Sequence, residues 1–121
     1  MSTLIWIDDH VAGVTLRKPI LEGCGYSVLT ARTAREGLAL MSAEPVQGVI
    51  LDCQLPDMPG EALLQHIRAI NAKVPVVVLS RYCGDLPDGL AHGADAIFTK
   101  AQDSFLTVVS KLSELINQRQ Q

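Results

Sequence analysis

The sequence predicts an α/β fold: a single-domain, doubly wound five-stranded parallel sheet with helices on both faces. Three observations support this prediction. Five short strand-like runs alternate with segments of helical spacing. Runs such as VPVVVLS are apolar throughout, which suits a parallel strand that is buried on both faces. The length of 121 residues fits one domain, and no linker or repeat interrupts the chain. We therefore expect residues 1–121 to form one domain.

The strands are predicted from short apolar runs bounded by turn residues and carboxylates. They are expected at Leu4–Ile7, Ser27–Ala31, Val49–Leu51, Val74–Ser80 and Ala96–Thr99.

The first two helices differ in how clearly the sequence marks them. A helix from about Val11 to Cys24 would contain Pro19, which removes one backbone hydrogen bond, and we expect a kink there. The second helix opens on the capping-box pattern TARE, which begins at Thr33. Its apolar face is expected to consist of Ala34, Leu38 and Met41.

Three further helices complete the alternation. Pro59 and Gly60 open the third, with Leu63, Ile67 and Ile70 at helical spacing. The fourth, between Gly84 and His92, must be short. Asp103 or Ser104 can cap the fifth. Its apolar stripe is Phe105, Val108, Val109, Leu112, Leu115 and Ile116.

Composition excludes several classes of function. The net charge of -3 gives no general attraction to nucleic acid or acidic lipid, and no apolar run approaches the ~20 residues of a membrane span. The N-terminus resembles no signal peptide, so a cytoplasmic protein is expected. Cys24, Cys53 and Cys83 are too widely spaced for a metal or disulfide framework and are predicted to be small buried hydrophobes.

Polar residues stand where the predicted strands end. Asp8 and Asp9 follow the first strand, Asp52 the third, Ser80 ends the fourth and Lys100 follows the fifth. Because the carboxyl ends of parallel strands share one edge of the sheet, these side chains are expected to lie together.

Three carboxylates at one edge repel each other. A like-charged pair at ~4 Å costs on the order of 4 kcal/mol at an effective dielectric of about 20, and one lysine cannot offset three acids. A divalent cation can, and an all-oxygen site suits Mg²⁺. A metal there would attract phosphoryl oxygens, with Lys100 as a second positive charge. Asp52 would then be a nucleophile whose product is an acyl phosphate.

These residues resemble the receiver domain of bacterial two-component response regulators. The resemblance rests on Asp8 and Asp9, the segment LDCQLPDMPG, the strand VVVLS ending at Ser80, and GADAIFTK ending at Lys100. The four motifs stand in the family's order over nearly the whole chain. The resemblance implies a flavodoxin-like sheet with strand order 2-1-3-4-5.

The resemblance also implies roles for individual residues. Asp52 would accept phosphate from a histidine kinase, a phosphotransfer protein or a small phosphodonor. Asp9, Asp52 and the backbone carbonyl of Gln54 would bind Mg²⁺, and Asp8 would bind it through water. Lys100 and Ser80 would contact phosphoryl oxygens. Movement of Ser80 would then repack the face formed by the fourth helix, fifth strand and fifth helix. That face would meet an output domain, an effector protein or a second copy in a homodimer.

The sequence departs from the family near the switch. The aromatic residue expected three positions before Lys100 is replaced by Ile97, and its neighbour Phe98 must point to the opposite face of the sheet. We therefore do not expect an aromatic switch. The slightly short interval from Ser80 to Lys100 predicts a short fourth helix.

Two loops also depart from the family. Ala101 replaces a proline that is usually in a cis peptide bond, so the loop after Lys100 is expected to follow a different path. Arg81 stands where a small residue is common, and Tyr82 follows it. We expect Tyr82 to shield the acyl phosphate from water.

Other interpretations of the sequence stay open. A receiver-like domain could act as an interaction module without phosphorylation. A phosphohydrolase with an Asp nucleophile typically carries an acid at the position of Gln54, and a flavodoxin-like cofactor binder needs a phosphate loop where Asp8, Asp9 and His10 stand. We expect His10 to be a loop or capping residue and Trp6 to pack in the core.

Overall fold

The computed structural model describes residues 2–81, 88–100 and 103–119. Five strands and five helices alternate along these residues. They are β1 (Thr3–Ile7), α1 (Val11–Gly23), β2 (Ser27–Ala31), α2 (Ala34–Ala43), β3 (Gly48–Asp52), α3 (Gly60–Ile70), β4 (Val76–Ser80), α4 (Asp88–Gly93), β5 (Ala96–Thr99) and α5 (Phe105–Arg119). The predicted alternation is confirmed.

The five strands form one parallel sheet with the order β2-β1-β3-β4-β5, as the resemblance implied. The order reverses at β1, which lies between β2 and β3. A crevice therefore opens at the carboxyl ends of β1 and β3, where sheets of this type carry their functional groups.

Helices cover both faces of the sheet, and successive strand residues point alternately into two cores. Ile5 and Ile7 of β1 pack with residues of α2, α3 and α4, whereas Leu4 and Trp6 pack with residues of α1 and α5. Every residue of β3 and β4 is buried, as the uninterrupted apolar runs predicted. Burying each large apolar side chain contributes ~1.5–3 kcal/mol to the stability of the fold. These central strands therefore fix the position of the edge formed by their carboxyl ends.

Side-chain caps fix where α2 and α5 begin. The Thr33 hydroxyl accepts the Glu36 N–H at 3.1 Å, as the capping box predicted, but the Glu36 carboxylate reaches the N–H of Arg32 instead of that of Thr33. The Ser104 hydroxyl accepts the Leu106 N–H at 3.2 Å, so Ser104 caps α5. Asp103 instead accepts the Thr99 N–H at 2.8 Å and ties β5 to the start of α5.

Some expectations about single residues need correction. Ile70 ends α3 and is 45% exposed, whereas Leu64 is buried because it packs near Gly93 at the end of α4. Cys24 is exposed beyond the end of α1 rather than buried, and Cys53 is half-buried.

Other expectations about the helices have different outcomes. Helix α1 continues through Pro19 without a break, and the kink expected there stays a prediction. The fourth helix is short, with six residues. Cys83 and Gly84 lie outside the described residues. Within the described residues, no helix combines the length and apolar character needed to cross a membrane.

Candidate functional site

Backbone hydrogen bonds continue the sheet just beyond the strand ends and position the polar residues there. The Asp8 N–H donates to the Ala31 carbonyl at 2.9 Å, and the Lys100 N–H donates to the Ser80 carbonyl at 2.7 Å. The Cys53 N–H donates to the Leu79 carbonyl at 3.3 Å, which continues the pairing of β3 with β4 past Asp52. Rigid backbone therefore holds these groups at one edge of the sheet.

Three carboxylates meet at this edge. One oxygen from each of Asp8, Asp9 and Asp52 lies within 4.8 Å of the others, and we call these residues the acidic cluster. Asp52 is fully buried and Asp8 is 3% exposed, whereas the Asp9 side chain is 39% exposed and forms the solvent side. The cluster is thus open to a small ion from one direction.

Loop backbone fixes the orientation of the two buried acids. The Asp8 Oδ1 accepts the His10 N–H at 2.9 Å, and the Asp52 Oδ1 accepts the Gln54 N–H at 3.0 Å. His10 itself is exposed at the start of α1 and lies outside the acidic cluster, as expected.

Lys100 approaches the acidic cluster from β5. Its Nζ lies 2.8 Å from Asp8 Oδ2 and 3.5 Å from Asp52 Oδ2. The ammonium therefore bridges the two buried acids.

Arg81 is a second cation at the site, and the sequence analysis did not foresee its contacts. Its Nη2 lies 2.8 Å from Asp9 Oδ1 and 3.4 Å from Asp52 Oδ2. The sequence signal was a long cationic side chain immediately after Ser80, but a residue type alone does not give the direction of its side chain.

The pKa values of the two buried acids shift in opposite directions. Burial alone would raise the pKa of Asp8, but the hydrogen bond and charge of Lys100, together with the His10 N–H, lower it below its ordinary value. Burial raises the pKa of Asp52, and the neighbouring charge of Asp8 adds to this effect. The cations therefore compensate the charge of Asp8 more fully than that of Asp52.

The donor set fits magnesium. Oxygens on opposite sides of a Mg²⁺ ion lie ~4.2 Å apart, because each sits ~2.1 Å from the ion, and the oxygens of the acidic cluster, all within 4.8 Å of one another, are compatible with one shared ion. Magnesium is usually held by one or two carboxylates and keeps several waters, so two of the three acids could bind it directly and the third through a water. The cluster can therefore hold a divalent cation.

The remaining predicted residues lie nearby. Ser80 is 3% exposed at the end of β4 and is paired in register with Thr99. Gln54 is exposed and forms an antiparallel bridge with Pro59 across the β3–α3 loop. A side chain at Gly60 would meet the Cys53 backbone oxygen at 2.9 Å, so the loop folds tightly against the end of β3.

Ile97 and Phe98 point to opposite faces, as expected. Ile97 packs with the core beneath α2, α3 and α4, and Phe98 packs with the core beneath α1 and α5. Phe98 therefore cannot replace an aromatic side chain at position 97. Tyr82 and Ala101 lie outside the described residues.

Asp57 links the site loop to a distant helix, which sequence analysis missed. Its carboxylate accepts the N–H of Ala34 at 2.9 Å and that of Arg35 at 3.0 Å. These contacts lower the pKa of Asp57. The β3–α3 loop is thus anchored to the N-terminus of α2, where negative charge is favourable.

Comparisons with known proteins agree with this geometry. A family model described as "Response regulator receiver domain" matches residues 4–109. The transcriptional regulatory protein GlrR of Escherichia coli K12 is 34% identical over 104 residues, which cover 86% of this chain and 22% of that protein. The chain thus spans about a fifth of the length of that relative.

Solved receiver structures share the fold. A CheY-like receiver domain protein from Methanospirillum hungatei has a TM-score of 0.89 and 28% identity, and the match covers 99% of this chain and 97% of that one. The response regulator protein TrrA from Thermotoga maritima, in complex with Mg(2+)-BeF, has a TM-score of 0.86 and 25% identity. The match covers 95% of this chain and 99% of that one. The chain therefore belongs to the receiver domain family of two-component response regulators.

Proposed function

We propose that Asp52 is the phosphoacceptor of this receiver domain and that it reacts in the presence of Mg²⁺. The observation that supports this most strongly is a fully buried carboxylate that lies at the carboxyl edge of β3, between Asp8, Asp9 and two cations. The likeness to TrrA, which was solved with Mg(2+)-BeF, supports the same assignment.

The proposed reaction transfers one phosphoryl group. An Asp52 oxygen forms a bond to phosphorus, while the bond from phosphorus to the donor histidine nitrogen, or to a small donor's leaving oxygen, breaks. The product is an acyl phosphate. Bound Mg²⁺ would neutralise charge on the phosphoryl oxygens. Asp9, Asp52 and the Gln54 carbonyl would hold it directly and Asp8 through water.

Lys100 and Ser80 take complementary roles in this proposal. The Lys100 ammonium already lies near Asp52 Oδ2, so a short movement would bring it to a phosphoryl oxygen. Ser80 would donate its hydroxyl to another phosphoryl oxygen. Because Ser80 pairs with β5, its movement would change the face formed by α4, β5 and α5. Ile97 would follow that change without an aromatic switch.

We further propose that residues 1–121 form one signalling domain whose only catalysis assists its own phosphorylation and dephosphorylation. The proposed donors are a histidine kinase or phosphotransfer protein. The proposed receivers of the signal are an output domain, an effector protein or a second copy in a homodimer. A cytoplasmic location and the absence of direct DNA binding remain predictions from the sequence.

The proposal is tested by incubation with acetyl phosphate and MgCl₂, followed by intact mass spectrometry. We expect a mass gain of one phosphoryl group that Asp52→Asn and chelation of Mg²⁺ each abolish. Asp57→Asn is the matched control, because it removes a carboxylate from the same loop and keeps an oxygen acceptor for α2. Rapid turnover of acetyl phosphate without an accumulated Asp52 adduct would indicate a phosphohydrolase instead. Neither adduct nor turnover would indicate an interaction module that works without phosphorylation.

A further inference from the structure

We propose that Arg81 is a built-in counter-cation of the acidic cluster and that it competes with Mg²⁺ for the same carboxylates. The guanidinium joins Asp9 to Asp52 at 2.8 and 3.4 Å. These two acids are the ones assigned as direct carboxylate ligands of the metal. The inference rests on the proposed function, since it takes Mg²⁺ as the ion of this site.

The hydrogen bonds of the acidic cluster show that Arg81 lies on the side left for an ion. The two oxygens of Asp8 accept from the His10 N–H and from Lys100, and Asp52 Oδ1 accepts from the Gln54 N–H. Arg81 contacts Asp9 Oδ1 and the other oxygen of Asp52. Lys100 also lies 3.5 Å from that Asp52 oxygen, but it does not contact Asp9. A metal that binds Asp9 Oδ1 and Asp52 Oδ2 together would therefore occupy the position of the guanidinium.

The charges at the site favour exchange over joint occupancy. The three carboxylates carry three negative charges, and Lys100 offsets one of them. A divalent ion in place of Arg81 makes the site neutral, whereas a divalent ion beside Arg81 leaves an excess positive charge with two cations in contact range. Like charges at such separations repel strongly when partly screened from water.

Arg81 is able to leave the site. Its side chain is 37% exposed, in contrast to the two acids beneath it, so the guanidinium can turn into water without unpacking the core. Arg81 therefore supplies the acidic cluster with a cation from the protein itself, held by contacts that it can give up. Loading of Mg²⁺ would release Arg81 to the surface next to Ser80.

The test is titration of the purified protein with MgCl₂ by isothermal calorimetry. Arg81→Met keeps most of the side-chain length without the charge, and we expect its Kd for Mg²⁺ to be ~5- to 30-fold lower than that of the wild type, the range of a one- to two-kcal/mol ion pair. Arg81→Lys keeps a charge but loses the planar fork, so its Kd for Mg²⁺ is expected to lie between those of the wild type and Arg81→Met. A purely structural role for Arg81 would instead weaken metal binding in both variants.

Arg32→Met is the matched control. Arg32 follows β2 at the same edge of the sheet, and its side chain makes no ion pair among residues 2–81, 88–100 and 103–119. Its Kd for Mg²⁺ is expected to stay within about twofold of the wild type, since an exposed charge without a close ion-pair partner contributes little. An equal gain in Mg²⁺ affinity in this control would mean that net charge, rather than the contacts of Arg81 with Asp9 and Asp52, sets the affinity.

Thermal unfolding with and without saturating Mg²⁺ gives a second measurement. Loss of Arg81 removes a cation from the acids, so the melting temperature of Arg81→Met without metal should be lower than that of the wild type. Saturating Mg²⁺ should raise the melting temperature of Arg81→Met by more than it raises that of the wild type. Equal Kd values for wild type and Arg81→Met, or weaker binding by the variant, would overturn the inference. Tighter binding without any Asp52 adduct would instead uphold the competition and refute the proposed phosphoacceptor role.

Discussion

At the scale of single residues, the buried acids of the site depend on cations that come from other strands. Asp8 and Asp52 have almost no exposed surface, and a buried carboxylate is costly unless it is paired or hydrogen-bonded. Lys100 pairs closely with Asp8 but lies farther from Asp52. Burial and the Asp8 charge therefore still raise the pKa of Asp52.

Lys100→Met should slow phosphorylation without weakening metal binding, because it leaves the acidic cluster more negative. The variant removes the cation assigned to a phosphoryl oxygen, and losing one such group typically costs ~100-fold in rate. The measurement is the time course of adduct formation with acetyl phosphate at saturating Mg²⁺, alongside calorimetry with Mg²⁺. An adduct that forms at the wild-type rate would contradict the role given to Lys100.

Asp57 gives a prediction about pH. The Ala34 and Arg35 N–H groups lower its pKa from the usual 3.8, so folding favours the ionised carboxylate. The stabilisation is present above the unfolded-state pKa and is lost as the pH falls through the folded-state pKa. The free energy of unfolding, measured by urea denaturation, should therefore be higher for the wild type than for Asp57→Asn at pH 7, and the difference should shrink towards pH 3. A difference that is constant over this range would contradict the assignment.

At the scale of elements, Asp95 joins four elements at the edge of the sheet opposite the acidic cluster. Its carboxylate accepts the Val76 N–H at the start of β4 at 2.8 Å and pairs with Arg68 of α3 at 3.0 Å. It also pairs with Arg119 near the end of α5. Because Asp95 immediately precedes β5, one side chain ties two strands to two helices on opposite faces.

Asp95→Ala should lower the free energy of unfolding by ~2–3 kcal/mol. The variant removes the acceptor of the Val76 N–H and the carboxylate partner of two guanidinium groups, which keep only backbone carbonyls as acceptors within the described residues. Hydrogen bonds to charged groups are worth ~1.5–3 kcal/mol each. Urea denaturation measures the change. Glu114→Ala is the control, because its pair with Lys111 is exposed and should contribute under ~0.5 kcal/mol. Equal effects of both substitutions would refute the bridging role.

The elements themselves could be predicted from sequence because their signals are local. The alternation of apolar runs with segments of helical spacing predicted both ends of every strand to within two residues. The Thr33 hydroxyl caps α2, as the capping-box pattern predicted. Even the opposite directions of Ile97 and Phe98 follow from the two-residue period of a strand.

Contacts between distant segments were not predictable from sequence. Asp57 caps a helix that begins 23 positions earlier, and Arg81 reaches Asp9 across 72 positions. Neither residue type signals a partner, since exposed acids and arginines are common on any surface. The exposure of Ile70 and the burial of Leu64, which the helical spacing did not single out, have a similar reason: the position of α4 helps to decide which side of α3 is covered.

At the scale of the whole molecule, the sheet brings together groups that lie far apart in sequence. Buried central strands fix the backbone, and their carboxyl ends place acids, cations and a hydroxyl from four strands at one edge. The strand that carries Lys100 lies at the margin of the sheet, and each of its residues is only partly buried. In the proposed function, a change at Asp52 would pass through Ser80 to β5, which pairs directly with β4.

The most direct test is a crystal structure of this chain grown with MgCl₂ and beryllium fluoride. We predict beryllofluoride bonded to an Asp52 oxygen, Mg²⁺ between Asp9 and Asp52, Lys100 against a fluorine, and Arg81 turned away from both acids. A structure at saturating concentrations in which Arg81 still bridges Asp9 and Asp52, with neither ion bound, would contradict both the proposed phosphoacceptor and the proposed metal site.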